Sequence, residues 1–252
     1  MIIDGMYHLE MCGAYWEGLI EEVLEYYDAA GIEQGVVTTT WTPSRESNDR
    51  TQLACRTYPD RFHPMGHVRP EDDWKAELKR ITGDFGWKAL KLHQGELKRG
   101  GPDMTATTRA IMEEAAGLGI RMVKIHLVDY EAMETLTREF PQVTWILPHM
   151  GCWDRWQDMG RYCDLARERA NVFLDTCAVD AYFDFGQMFE RAGFDKITFA
   201  TDGPMFSPLV EKAKVDTLRL PTPYRTARLT DDAYDQIMGG NMARLLHKLQ
   251  AS

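Results

Sequence analysis

The chain has 252 residues and a formal net charge of -10, which excludes the basic footprint that nucleic-acid binding requires. The same charge disfavours an anionic membrane surface, and no apolar run reaches the ~18 residues of a bilayer span. With 44% hydrophobic residues, the chain can bury the core of two ordinary domains or of one α/β barrel.

The first stretch, MIIDGMYHLE, reads as a short buried strand. Strand alternation would place Asp4, Met6 and His8 on one face and Ile3, Gly5 and Tyr7 on the other. No basic segment and no long apolar segment precede it, so a cytoplasmic protein is expected. The 5 cysteines show no CxxC spacing and read as reduced thiols. Of these, Cys12, Cys152 and Cys177 fall near strand tips.

A helix is predicted over 16–30, stopped by Gly31, and then a β-branched strand over 35–40. A helix over 44–58 ends before Pro59, and strand 62–68 and helix 71–82 follow. Strand 87–93, helix 105–118, strand 121–127 and helix 130–140 continue the alternation, with Asp129 as an N-cap and Pro141 as a stop. Strand 143–149, helix 154–169, strand 172–177, helix 181–192 and strand 196–202 come next, and the tail is helical, including 231–238 and 241–249. No Ser/Gly-rich linker interrupts the series, so one domain over 1–252 is expected. Alternating βα units imply a parallel sheet, and about eight of them in this length predict a closed (β/α)8 TIM barrel. An open doubly wound sheet would want a Gly-rich loop after strand one, and GMYHLEM does not supply it.

Chemistry in a barrel sits at the C-terminal ends of the strands. Those ends carry His8, His67, His93, His126, His149, Cys177 and Asp202. If His126 points inward, Lys124 and Met122 do too, leaving Val123, Ile125 and Leu127 for the helices. The same alternation puts Lys91 and His93 inside with Leu90 and Leu92 outside, and Asp202 inside with Ile197, Phe199 and Thr201 outside. Imidazoles and a carboxylate converging at one mouth suit a divalent metal, most simply zinc or manganese. Such an ion lowers the pKa of bound water and polarises a carbonyl.

The pieces IIDGMYH, VKIHL, ILPHMG, ITFATDGP and the late GGNMARLL resemble the amidohydrolase-2 family, in this order and over nearly the whole chain. That branch contains aminocarboxymuconate-semialdehyde decarboxylase and related metal-dependent hydrolases and lactonases. The resemblance implies a distorted TIM barrel. It implies metal ligation by His8, His126 and Asp202, and orientation or deprotonation of an attacking water by His149. It also implies a departure: the family's strand-one motif is His-x-His, and here its first histidine is Met6. A thioether is a poor ligand for zinc or manganese. Three readings follow: a weakened site with three protein ligands, an enzyme that works without metal, and a barrel that binds without catalysing. Glu10 is a candidate replacement ligand.

Lys91 and His93 are candidates to hold a substrate carboxylate, with a Lys91 pair to Asp4 or Asp175 as the structural alternative. Arg69, Trp41, Trp153 and Tyr15 lie in loops near the expected mouth. The expectation is an enzyme, a metal-assisted hydrolase of a small carboxylate-bearing lactone or amide-like substrate, with Asp202 holding metal and taking a proton. The alternatives are non-oxidative decarboxylation of an aromatic or unsaturated acid, and a non-catalytic binding protein. The expected partners are a small-molecule substrate and, by the habit of the family, a second copy of the chain.

Overall fold

Among the described residues, short β-branched and apolar runs form nine strands: β1 (Ile3–His8), β2 (Gln34–Thr38), β3 (Phe62–Pro64), β4 (Gly66–His67), β5 (Ala89–His93), β6 (Met122–His126), β7 (Thr144–Leu147), β8 (Val172–Asp175) and β9 (Ile197–Thr198). They come from a computed structural model that describes residues 1–9, 20–101, 103–127, 129–153, 155–179, 182–220 and 228–251, without the side chains of 182–184. Glu10, Cys12, Tyr15 and the expected helix starts at 16–19, 154 and 181 lie outside the described residues. Among the described residues, no helix is long and apolar enough to cross a membrane.

Every pairing between these strands is parallel. The strands fall into the series β1-β2-β3 and β4-β5-β6-β7-β8-β9. Two features join these series into a ring. β3 and β4 are halves of one strand, interrupted only at Met65, whose N–H donates to the Val37 carbonyl at 2.9 Å. The chain beyond β9 pairs with β1: Gly5 N–H donates to Phe199 O at 2.8 Å, Asp202 N–H to Met6 O at 2.9 Å, and His8 N–H to Gly203 O at 2.7 Å. The expected (β/α)8 barrel is therefore present, closed between its first and last strands.

The helices are α1 (Ile20–Ala30), α2 (Ser44–Thr57), α3 (Trp74–Gly83), α4 (Gln94–Leu97), α5 (Met104–Gly117), α6 (Tyr130–Glu139), α7 (Met159–Glu168), α8 (Tyr182–Ala192), α9 (Pro208–Thr217), α10 (Asp231–Asp235) and α11 (Asn241–Ala251). Several start on the same device. The side chains of Asp73, Asp103, Asp129 and Thr230 accept the N–H of the alanine three residues on, which satisfies a donor the helix cannot. Helix α4, right after β5, is not expected from the sequence. A π-helical turn at Gln236–Gly240 fuses α10 to α11, so the tail runs as one continuous helical stretch rather than two.

The core has two layers. Val123, Ile125, Leu127, Leu90, Leu92, Ile197 and Phe199 face the helices, as alternation predicts. Inside the barrel, Ile3, Val36, Met65, Ala89, Met122, Ile146 and Phe173 pack on Met242, Leu245 and Leu246 of α11. Helix α11 thus plugs the N-terminal end of the barrel. Asn241 Nδ2 fixes the plug by donating to Phe194 O at 2.7 Å and Ile197 O at 2.6 Å. Gly239 lies so close to the Met1 carbonyl that a Cβ there would collide with it. The GGN of the late motif is therefore a packing device at the end opposite the polar strand tips.

The first strand corrects one expectation. Asp4 pairs with Gly35 and Tyr7 with Val37, so β1 spends three steps where β2 spends two. This extra residue is a β-bulge, and it breaks the alternation. Met6 and His8 keep the inner face, while Asp4 turns outward with Tyr7 against α1. Tyr27 Oη donates to Asp4 Oδ2 at 2.9 Å, and the Tyr7 and Tyr27 rings are 5.5 Å apart. The N–H groups of Met6 and Thr201 donate to Asp4 Oδ1 at 3.0 and 2.9 Å. Asp4 is a clamp on the barrel seam. Burial pushes its pKa up to about 6 against those hydrogen bonds.

Candidate active site

The strand tips converge on a cavity of about 280 Å³ lined by His8, Trp41, Lys91, His93, Gln94, His126, His149, Trp153, Asp202 and Met205. His8, Lys91, His93, His126, His149 and Asp202, six of the residues singled out by sequence for ligand, substrate or catalytic roles, meet here. His67 does not: it is fully buried, and its Nε2 lies 3.1 Å from Glu96 on α4. Arg69 pairs with Glu71 outside the cavity. Gln94 and Met205 are linings that no sequence pattern indicated. Thr40 is a further missed partner, although it closes the β-branched run that forms β2.

The imidazoles are held from behind through Nδ1. His8 Nδ1 lies 3.0 Å from Thr40 Oγ1, His149 Nδ1 lies 3.1 Å from Cys177 O, and His126 Nδ1 lies 2.9 Å from His93 Nε2. With Nδ1 engaged, His8, His126 and His149 turn Nε2 toward the cavity, and the buried partners fix the ring orientations. His8 Nε2 is 3.0 Å from Asp202 Oδ1, and His149 Nε2 is 3.9 Å from Asp202 Oδ2. His126 Nε2 is buried and has no hydrogen-bond partner among the described residues. One tautomer follows from the backbone. Gly95 N–H donates to His93 Nδ1 at 3.0 Å, so His93 carries its proton on Nε2 and donates to His126 Nδ1. In the neutral state His126 then presents an N–H to the cavity.

Burial lowers the pKa of all four rings, so they are neutral near pH 7. His93 falls to about 2, with the charge of Lys91 adding to burial. Burial alone would raise Asp202, but the His8 hydrogen bond and the fields of His8, His149 and Lys91 override it and bring it to about 2. The carboxylate is ionised.

Lys91 is 1% exposed, and burial brings its pKa down to about 8. Among the described residues it has no carboxylate partner. Its one hydrogen bond there is to Met6 Sδ at 3.3 Å. The expected structural pairs, Lys91 with Asp4 or Asp175, are absent: Asp4 faces α1, and Asp175 Oδ2 pairs with Lys124 Nζ at 2.7 Å.

The cavity wall carries backbone strain. Trp41, His149, Trp153 and Asp202 all have positive φ, at 71°, 59°, 38° and 56°. Each such non-glycine residue costs roughly 1–3 kcal/mol, and such strain clusters at functional sites. The two tryptophans stand over the imidazoles. Trp41 is 4.7 Å from the His93 ring and Trp153 is 4.5 Å from the His149 ring.

The donors fit a divalent ion in kind. His149 Nε2 and Asp202 Oδ2 face each other across 3.9 Å as two acceptors, and His126 Nε2 can ligate only in the other tautomer, with its proton on Nδ1 and the His93 contact reversed. The expected trio is not drawn tight. Among the described residues, only His149, Asp175 and Cys177 bring three donor atoms within 4.8 Å of one another. That knot is a hydrogen-bond network. Asp175 Oδ1 accepts from His149 N–H at 2.9 Å and from the Cys177 thiol at 2.9 Å, and its other oxygen belongs to Lys124. Burial pushes the Cys177 thiol well up, so it stays protonated and offers a metal no thiolate.

Comparison with known proteins gives a consistent picture. The fold resembles 2,6-dihydroxybenzoate decarboxylase from Rhizobium, at 16% identity and a TM-score of 0.69 over 98% of each chain. It resembles 4-oxalomesaconate hydratase from Rhodopseudomonas palustris, at 19% identity and a TM-score of 0.68 over 100% of this chain and 97% of that one. It also resembles 5-carboxyvanillate decarboxylase from Novosphingobium aromaticivorans, which was crystallised with bound manganese, at 15% identity and a TM-score of 0.66 over 89% and 80%. Comparison with curated proteins yields no match. The sequence pattern of the family described as Amidohydrolase (Amidohydro_2) matches residues 18–248, and with the barrel it shows that this chain belongs to that family.

Proposed function

We propose that the chain is a lyase, catalysing non-oxidative decarboxylation of a small, flat carboxylic acid at the barrel mouth. The observation that carries this reading is the charge arrangement in one cavity: an ammonium, Lys91, with no carboxylate bonded to it among the described residues, and an ionised carboxylate beside neutral imidazoles, Asp202 with His8 and His149. Decarboxylase and hydratase neighbours support it over the hydrolytic reading.

Lys91 holds the substrate carboxylate as a point charge, with His93 beside it. Trp41 and Trp153 cover the flat faces of the substrate and exclude water. Loss of CO2 leaves an electron pair on carbon, and that carbon takes one proton. The His149–Asp202 pair, an unprotonated imidazole nitrogen and a carboxylate oxygen 3.9 Å apart, takes that proton up from solvent and passes it to the carbon. His8, His126 and Asp202 would hold a zinc or manganese ion, which when bound supplies Lewis-acid stabilisation of the developing anion.

Hydrolysis of a lactone or amide-like bond is the second reading. It is favoured by the same 3.9 Å gap, which fits a water donating to both acceptors. The test is CO2 release from a panel of aromatic and unsaturated acids, using protein stripped of metal and then reloaded with zinc or manganese. Release should fall by about 10²–10⁴-fold in Asp202→Asn and His149→Ala. Ring opening of lactones without any CO2 release would replace this reading with the second one.

A further inference from the structure

The geometry points to Lys91 as an amine that forms an imine with the carbonyl of a β-oxo acid bound in the cavity. It narrows the substrate class of the proposed decarboxylase, shares its cavity and extends the role of Lys91: the ammonium draws the carboxylate in, and its neutral form attacks the neighbouring carbonyl, leaving the carboxylate to His93. Lys91 and Lys124 are register partners on β5 and β6, and both are buried. Lys124 is paired, donating to Asp175 at 2.7 Å and Gly5 O at 2.9 Å. Lys91 is not: it lines the cavity, and its only hydrogen-bond partner among the described residues is the Met6 thioether. A lysine becomes a nucleophile when it is desolvated beside another cation, and both conditions hold here. Burial is the main cause of its lowered pKa of about 8, the Lys124 charge adds to it, and Asp202 and Asp175 oppose it. About a tenth of the amine is then neutral at pH 7.

The reaction balances without any further reagent. Neutral Nζ attacks the carbonyl carbon, and the carbinolamine takes up one proton and loses water, leaving a protonated imine. The bond to the β-carboxylate breaks, CO2 departs, and the electron pair moves to the imine nitrogen, giving a neutral enamine. The enamine carbon takes one proton, and water then releases the ketone and restores the lysine ammonium. The net change is one oxo acid and one proton converted to a ketone and CO2. The iminium supplies the electron sink within the chain itself.

The test is borohydride trapping on the whole protein with acetoacetate as probe, followed by digestion and mass spectrometry. The reduced adduct should form on the Lys91 peptide at least ten times faster than on exposed Lys75 and Lys98, and Lys124 should remain unlabelled. Trapping at that peptide should vanish in Lys91→Arg and Lys91→Met, with both variants checked for a native thermal transition. If one fails to fold, the other and the wild-type ratio still decide. Labelling of Lys91 no faster than of Lys75 and Lys98 would overturn the inference, since an inert buried amine reacts more slowly than an exposed one. Trapping requires neither metal nor turnover. An adduct in protein that releases no CO2 therefore sinks only the lyase reading, and CO2 release without an adduct sinks only this one.

Discussion

Two lysines lie side by side in the barrel and have opposite surroundings. Lys124 has a carboxylate at 2.7 Å and a backbone carbonyl at 2.9 Å. Lys91, its neighbour in register, has a sulfur at 3.3 Å. The first is a structural strut below the site, because Asp175 also holds the backbone N–H of His149. The second is a buried charge with no carboxylate bonded to it among the described residues. A protein tolerates such a residue at the expense of stability, and that pattern marks functional sites.

The comparison breaks most easily through stability. Asp175→Asn leaves Lys124 as an unpaired buried cation and should destabilise the protein by about 3–5 kcal/mol in urea unfolding. Lys91→Met should act in the opposite direction. Replacing this buried ammonium by an apolar chain of similar length should raise stability, by up to about 3 kcal/mol at pH 7. A loss comparable to that of Asp175→Asn would show that Lys91 is a strut too.

The same lysine gives a pH signature. The folded pKa is lowered to about 8 from 10.5 by burial first, so between those values the unfolded chain binds more protons. Wild-type stability should therefore rise with pH from about 8 toward 10.5, while below 8 the full penalty is present. The fields acting on Lys91 come from Asp202, Lys124, Asp175 and Cys177. Lys91→Met should remove this rise. Identical pH profiles for the two proteins would mean that Lys91 is not deprotonated on folding.

The smallest expected effect concerns metal. Met6→His restores an imidazole where the family motif has one and should tighten zinc or manganese binding on the order of ten-fold by calorimetric titration. Adding Lys91→Met to it should tighten binding further, because the ammonium beside position 6 repels the ion. Unchanged affinity in both would place the ion away from Met6.

Much of the site is legible in the amino-acid sequence. Polar tips on alternating strands point to His8, His93, His126, His149, Asp202 and Lys91, and all line one cavity. His67 follows the same rule and fails, because Glu96 on the unforeseen helix α4 captures its ring. Helix α4 spans four residues, too few to show a period.

By itself the sequence determined the barrel, its direction and the residues at its mouth, since strand and helix periods are local properties of the chain. The tertiary structure alone decided which charges meet. One extra residue in β1 turned Asp4 outward, the register of β5 on β6 set Lys91 beside Lys124, and a single aspartate from β8 satisfied only one of them. Pairing is a through-space choice between residues 51 or more positions apart, and no local period encodes it.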